Sequence, residues 1–303
     1  MSEVAGRMTS TPLCKICGSA EQSVLYRGLV RTGRVGQISA QPQTVWVCGR
    51  CGAGYLPPQT VDYASGEYRT LVDGSDAPED FYSLHDEEQA EKLRMLGTGG
   101  LRDTVLMDVG CGAGSFLDLV KGFCKTTIGV EPTHSLRDAL VKKGHIAFPY
   151  CHEVLANWKG QVDIAVSFSV IEHLEDPLAL LKEIRQLLKP NGRLLLSTPN
   201  RCDWLLELLP DDYARFFYRT VHTWYFGAEA LIKLVRLAGF AEPSLSYLHR
   251  YDLSNALLWL RDKRPTGLGA LNIGMMGDKL FRGMLEANGR ADYLYCSCVN
   301  PAR

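Results

Sequence analysis

The sequence predicts an α/β fold with a small cysteine-bearing module ahead of it. Two observations carry the prediction. An apolar strand, Thr104-Val-Leu-Met-Asp-Val109, runs into a glycine-rich turn, Gly110-Cys-Gly-Ala-Gly114, then a helical start, Ser115-Phe-Leu-Asp-Leu-Val120, and a second strand, Thr126-Thr-Ile-Gly-Val130. That order is the repeating unit of a parallel sheet covered by helices. Upstream stand two Cys-x-x-Cys-Gly pairs, Cys14/Cys17 and Cys48/Cys51. With 303 residues, 46% of them hydrophobic, the chain can bury one large core and an accessory module.

Residues 1–57 read as a zinc-ribbon module. Two residues between cysteines let both thiolates reach one ion from a tight turn, and two such turns complete a tetrahedral site. Four thiolates leave no open position, so the zinc is expected to be structural, held by Cys14, Cys17, Cys48 and Cys51. A redox disulfide would need only one pair. Ser23-Val-Leu-Tyr26 and Thr44-Val-Trp-Val47 are short strands, and metal binding is expected to supply folding energy to so small a unit.

Residues 58–103 read as a linker and helical segment. A tyrosine-rich polar stretch (62–69) and an acidic loop (73–80) precede a helix from about Glu87 to Leu96, which Gly97 stops. Tyr68, Arg69 and His85 are candidates to reach a cofactor carboxylate or a substrate.

In the domain at 104–303, Glu131 ends the second strand, where a carboxylate can accept bonds from both ribose hydroxyls. The glycines let the backbone bend and let a ligand lie against it. A dinucleotide fingerprint would place its third glycine where Ser115 stands, so a nicotinamide site fits poorly.

With strand, acid, glycines, helix, strand and second acid in order, residues 104–200 resemble a class I S-adenosylmethionine-dependent methyltransferase. Asp108 to Gly114 match its first motif, Glu131 its ribose acid, Val162 to Ser169 its fourth strand, and Leu188 to Pro199 its fifth. The resemblance implies a Rossmann-like sheet, mostly parallel with the last strand antiparallel and helices on both faces. It implies S-adenosyl-L-methionine as cofactor, held by Asp108, Gly110, Cys111, Gly112, Gly114, Glu131, Ser167 and Phe168. Cys151-His-Glu153 stands at roughly the place where the family carries an acid beside the adenine. A cysteine-paired module ahead of this domain also resembles bacterial methyltransferases acting on sugars, nucleotide-sugars and secondary metabolites, and superficially an RNA methyltransferase arrangement.

Glu172-His173 follows the fourth strand, where ligands of open α/β sheets sit. A neutral imidazole there can take a proton from a hydroxyl or an acidic carbon. His173 is the leading candidate base, with Glu172 and His222 as further candidates. A lid over about 202–226 carries Tyr213, Tyr218 and Trp224, candidate pocket walls or lid packing. A helix follows at Ala228 to about Leu237, then strands at 242–248 and 291–299 around an insertion at about 250–290. In the insertion, Leu253 to Arg261 form an amphipathic helix. The methionine-containing run Ile273 to Phe281 is expected to pack in the core, with an adaptable partner face as the alternative. Cys296 and Cys298 share one strand face and are read as core.

Lys+Arg is 33 against Asp+Glu 34, a net charge of -1, which argues against a large nucleic-acid footprint. The start, MSEVAGRMTSTPL, has no apolar leader core, no run of eighteen apolar residues occurs, and six cysteines lie scattered. A cytoplasmic setting with reduced thiols is expected. The function expected is methyl transfer to an oxygen or carbon of a small-molecule acceptor, sugar-like or a secondary metabolite. RNA methylation and non-catalytic cofactor binding are the alternatives.

Overall fold

The computed structural model describes residues 13–58, 60–265, 271 and 273–302. The segment 1–12, on which the absence of a leader was read, lies outside the described residues.

The strands are β1 (Gln22–Gly28), β2 (Gln43–Cys48), β3 (Gly54–Tyr55), β4 (Val105–Val109), β5 (Thr126–Val130), β6 (Ile146–Phe148), β7 (Val162–Phe168), β8 (Leu188–Pro199), β9 (Trp224–Tyr225), β10 (Ala241–Leu248) and β11 (Tyr293–Val299). The helices are α1 (Glu67–Val72), α2 (Pro78–His85), α3 (Gln89–Leu96), α4 (Ser115–Val120), α5 (His134–Lys142), α6 (Cys151–Trp158), α7 (Pro177–Leu187), α8 (Trp204–Leu208), α9 (Ala214–Phe217), α10 (Ala228–Leu237), α11 (Leu253–Asp262) and α12 (Met275–Ala287).

Seven strands form the main sheet in the order β10-β11-β8-β7-β4-β5-β6. β4, β5, β6, β7 and β8 run parallel, and β11 is antiparallel to both β8 and β10, so the last strand is the reversed one. The central strands are buried on both faces, as Leu106, Met107, Val166, Leu194 and Leu196 show. That is why they read as continuous apolar runs. α7 illustrates the covering helices. Pro177 opens it, Asp176 Oδ1 accepts from Ala179 N at 2.9 Å, and Leu181, Ile184 and Leu187 face the sheet.

The second sheet joins segments far apart in the chain. β1, β2 and β3 pair in antiparallel order, and β3 then pairs with β9, with Gly54 opposite Tyr225 and Tyr55 opposite Trp224. Cys14, Ile16, Cys48, Cys51 and Ala53 lie in one buried cluster with Trp224, Phe226 and Leu231. The cysteine-bearing segment therefore shares its core with the segment that follows β8.

Two readings need correction. The polar stretch read at 62–69 runs into helix α1 from Glu67, and the acidic loop read at 73–80 runs into helix α2 from Pro78. The acids at Glu79 and Asp80 belong to α2's first turn behind Pro78, where they complement the positive end of the helix. The methionine run does not pack inside: Met275 and Met276, on α12, are 87% and 69% exposed. Cys296 and Cys298 are buried, as expected.

Candidate active site

A cavity of about 540 Å³ opens beyond the carboxyl ends of β4, β5 and β7. This is where an open parallel sheet leaves a crevice. Asp108 to Cys111 and Glu131 form one end, α1 and α2 cover it, and Ser169 to His173 with Arg219, His222, Arg250 and Tyr293 form the other.

At the first end the backbone itself makes the cradle. Gly110 has φ +79°, and a Cβ there would stand 2.3 Å from the Val170 side chain. Gly112 has φ +56°, and its Cβ would meet the Phe81 ring at 2.2 Å. Neither position tolerates a side chain. Glu131 is buried at the tip of β5. Its Oε2 accepts from Gly112 N at 3.0 Å and its Oε1 from Thr133 N at 2.8 Å. Each oxygen keeps a lone pair for a ligand hydroxyl. Burial pushes Asp108 up to about 7, Lys92 opposing and Glu131 adding to the effect. Phe168 lines the cavity with Lys92 5.4 Å from its ring centre. The cradle, the oriented Glu131 carboxylate and the cavity volume suit the ribose and methionine portions of S-adenosylmethionine.

Other expected cofactor residues sit further back. Ser167 is fully buried and its hydroxyl donates to Val109 O at 3.3 Å, tying β7 to β4. Gly114 opens α4 with its α-carbon turned toward Leu140. Cys111 lines the cavity, and Cys151 with His152 and Glu153 forms the first turn of α6, Cys151 alone of the three reaching the cavity wall. Tyr68, Arg69 and His85 all line it. Arg69 Nη1 pairs with Asp73 at 3.1 Å, and His85 lies against Phe81.

At the other end His173 Nδ1 lies 2.8 Å from Val221 O. A carbonyl only accepts, so Nδ1 carries the proton and Nε2 keeps its lone pair. That lone pair points into the cavity, 3.4 Å from Tyr68 Oη. Burial lowers this imidazole to about 3, and Arg219 adds to the effect. Glu172 is buried with neither carboxyl oxygen hydrogen-bonded, and burial pushes it up to about 7. Its backbone oxygen accepts from Thr223 N at 2.7 Å and Trp224 N at 3.0 Å. His222 packs edge-on against His173, centroids 4.6 Å apart, and its Nε2 faces Arg219 Nη1 at 3.4 Å. Burial and the neighbouring His173 and Arg219 hold it well below the usual histidine range. Ligand atoms of Glu172, His173 and His222 lie within 4.8 Å of one another. The guanidinium on His222 Nε2 disfavours a metal cation there.

The lid aromatics do not wall this cavity. Tyr213 Oη donates to Asp203 Oδ2 at 2.6 Å, Tyr218 stacks on Tyr26, and Trp224 donates to Leu174 O while packing on Tyr55. All three are core residues. The rings lining the cavity include Tyr63, Tyr68 and Tyr293, with Tyr63 and Tyr68 5.1 Å apart. Tyr63, Arg219, Arg250 and Tyr293 escaped the sequence reading. They come from four separate segments with no common spacing.

The four thiols of the N-terminal pairs lie within 4.8 Å of one another. Cys14 Sγ is 3.6 Å from Cys51 Sγ, and Cys17 Sγ 3.5 Å from Cys48 Sγ. Thiolates about 2.3 Å from a tetrahedral zinc stand about 3.8 Å apart, so the donor set fits that ion.

Comparison with known proteins agrees with this arrangement. Residues 83–242 match a family described as a methyltransferase domain. The chain belongs to that methyltransferase-domain family. A ubiquinone biosynthesis O-methyltransferase of Bradyrhizobium diazoefficiens is 34% identical over 147 residues, 46% of this chain and 56% of the relative. Its namesake in Escherichia coli is 28% identical over 156 residues, 48% of this chain and 63% of the relative. The chain thus spans less than two thirds of the length of these relatives. Among solved structures, a SAM-dependent methyltransferase from Archaeoglobus fulgidus superposes with TM-score 0.52 at 16% identity, over 73% of this chain and 97% of that one. At that identity the likeness concerns the fold.

Proposed function

We propose that this chain is an S-adenosylmethionine-dependent O-methyltransferase acting on a hydroxyl of a small, flat, phenol-like acceptor, with a structural zinc on its four N-terminal cysteines. The observation that carries the reading is His173. Its tautomer is fixed by Val221 O, and its free Nε2 faces the cavity opposite the Glu131 cradle. When bound, S-adenosylmethionine supplies a methyl group activated by a sulfonium.

The chain's own residues do the rest. Glu131 receives the ribose hydroxyls, and the Gly110 and Gly112 backbone lies against the methionine portion. His173 Nε2 accepts the acceptor's hydroxyl proton, displacing Tyr68 Oη as its partner. Burial keeps this imidazole neutral at pH 7, so its lone pair is free to accept the hydroxyl's hydrogen bond; the same burial weakens it as a base, so the proton moves only as methyl transfer removes the sulfonium charge from the cavity. Glu172 holds the turn that carries His173 through the Thr223 and Trp224 amides. His222, its Nε2 facing Arg219, positions that guanidinium.

The acceptor reading departs from the sugar-like or secondary-metabolite acceptor expected on sequence. Relatives named for O-methylation in ubiquinone biosynthesis support a ring hydroxyl. The edge-to-face rings of Tyr68 and His173, 5.1 Å apart, suit a flat partner. Among the described residues no helix is long and apolar enough to cross a membrane. A methyl-labelling assay offering catechols, nucleotide-sugars and RNA in parallel tests the reading. Label in a catechol ether is the expected outcome; label confined to sugar or RNA overturns it.

A further inference from the structure

Positive charges around the cavity are mostly matched. Arg69 pairs with Asp73, Lys92 with Glu88 at 2.6 Å, and Arg250 with Asp292 at 2.7 Å. Arg219 is the exception. It lines the cavity beside His173 and His222, its Nε is buried without a hydrogen-bond partner, and its Nη1 meets only the imidazole of His222. Among the described residues, no carboxylate reaches ion-pair distance of it.

Among the described residues, a second arginine without a carboxylate at ion-pair distance lies on the neighbouring segment. Arg31 comes from the cysteine-bearing segment and bridges to Arg219 backbone to backbone. Its amide donates to Tyr218 O and its carbonyl accepts from Thr220 N, each at 2.9 Å. Its guanidinium lies over the Phe216 ring, 4.4 Å from the centroid, with Nε buried and unpartnered. The Arg219 backbone is fixed as well: its amide donates to Tyr225 Oη at 2.8 Å, and that hydroxyl donates back to Arg219 O at 3.0 Å. Two neighbouring cations with no carboxylate at ion-pair distance among the described residues are costly to hold half-buried, and here the backbone holds them in place.

We propose that Arg219, with Arg31 behind it, is a subsite for an oxyanion carried by the acceptor, a carboxylate or a phosphoryl group on the same molecule as the methylated hydroxyl. The proposal rests on the O-methyl transfer reading for the place of that hydroxyl. A guanidinium presents a planar fork that matches either anion. The cavity then has a division of charge. Asp108 and Glu131 gather at the cofactor end, while at the acceptor end Arg219 stands near Glu172, whose carboxyl is pushed up to about 7 by burial and lies beyond ion-pair distance.

The test is equilibrium binding of three probes in the presence of S-adenosylhomocysteine: catechol, 3,4-dihydroxybenzoate and 3,4-dihydroxyphenylphosphonate. Wild type should bind one or both anionic probes at least ~10-fold more tightly than catechol. Whichever gains more identifies the oxyanion. Arg219→Gln should abolish the advantage and Arg219→Lys should keep part of it, while affinity for S-adenosylhomocysteine is unchanged in both. The wild-type contrast needs no variant, so a poorly folding Arg219→Gln does not decide the matter. Equal binding of charged and neutral probes by wild type, no binding of either anion, or an advantage that survives Arg219→Gln overturns the subsite. Turnover, measured separately, isolates the underlying reading. Catechol methylation without charge preference keeps O-methyl transfer and removes the subsite. Charge-selective binding without turnover does the reverse.

Discussion

The two ends of the cavity are held by different kinds of connection. At the cofactor end, Glu131 meets the Gly112 amide across a sequence separation of 19 residues, inside one strand–turn–helix–strand unit. At the acceptor end, His173 is oriented by Val221, 48 residues on, and Arg219 is bridged to Arg31 of the cysteine-bearing segment. The first end is a property of a local motif. The second exists only when the lid, the cysteine sheet and the parallel core are all assembled. Disturbing the thiolate centre should therefore reach the acceptor end through β9 and leave the Glu131 cradle nearly intact.

Removing the metal sharpens that contrast most. Chelation, or Cys51→Ser, should release about one zinc per chain by elemental analysis. The stabilisation lost is on the order of 10 kcal/mol locally. Hydrogen exchange should rise in β2, β3 and β9, and acceptor turnover should collapse while S-adenosylhomocysteine still binds. Unchanged exchange at Trp224 and Tyr225 would break the link between the two sheets.

Next in size is the base. His173→Ala should lower kcat by roughly 10²- to 10⁴-fold, with cofactor affinity unaltered. Full activity in that variant would end its role.

A third outcome concerns the buried acid beside it. The Glu172 carboxyl ordinarily ionises near 4.5, and burial raises it to about 7. Between those values the folded chain keeps a proton that the unfolded chain has released. The contribution is whole below about 4.5 and is lost as pH rises through about 7, roughly 3 kcal/mol in all. Denaturant unfolding should show wild type losing stability between about pH 6.5 and 8, above the range in which the neutral burial of His173 and His222 gives the opposite slope. Glu172→Gln should shrink the loss, leaving the similar slope from Asp108. A pH dependence identical in the two proteins would contradict the burial argument.

The smallest expected effect is at the local end. Glu131→Gln should weaken S-adenosylhomocysteine about tenfold in calorimetry and leave zinc content and acceptor-end exchange untouched. An unaltered affinity would remove its ribose role.

The same division explains what the sequence made legible. The glycine turn, the acid at the tip of β5 and the thiol spacings are short patterns, and each lies where its spacing placed it. The α1 and α2 segments were misread because the acids of α2's first turn look like a solvated loop until Pro78 is recognised as a helix start. Trp224 turns inward because β9 pairs with β3, whereas Tyr213 is held by Asp203 and Trp259 and Tyr218 by Tyr26, all long-range partners that a local pattern does not name. Arg219, Arg250 and Tyr293 share no periodicity, since only tertiary closure brings them together. The exposed methionines of α12 show a limit of another kind, because composition alone does not say which face of a helix meets the core.

The pairing of β3 with β9 also sets an order of events during synthesis. Tyr55 and Trp224 are about 170 residues apart, with nearly the whole parallel core between them. The four cysteines emerge early, and the zinc proposed for them could bind at once. Their sheet must then wait, with β3 presenting an open edge, until the lid strand leaves the ribosome. Closure of so long a loop is slow, and an unpaired edge is a place where a chain meets the wrong neighbour.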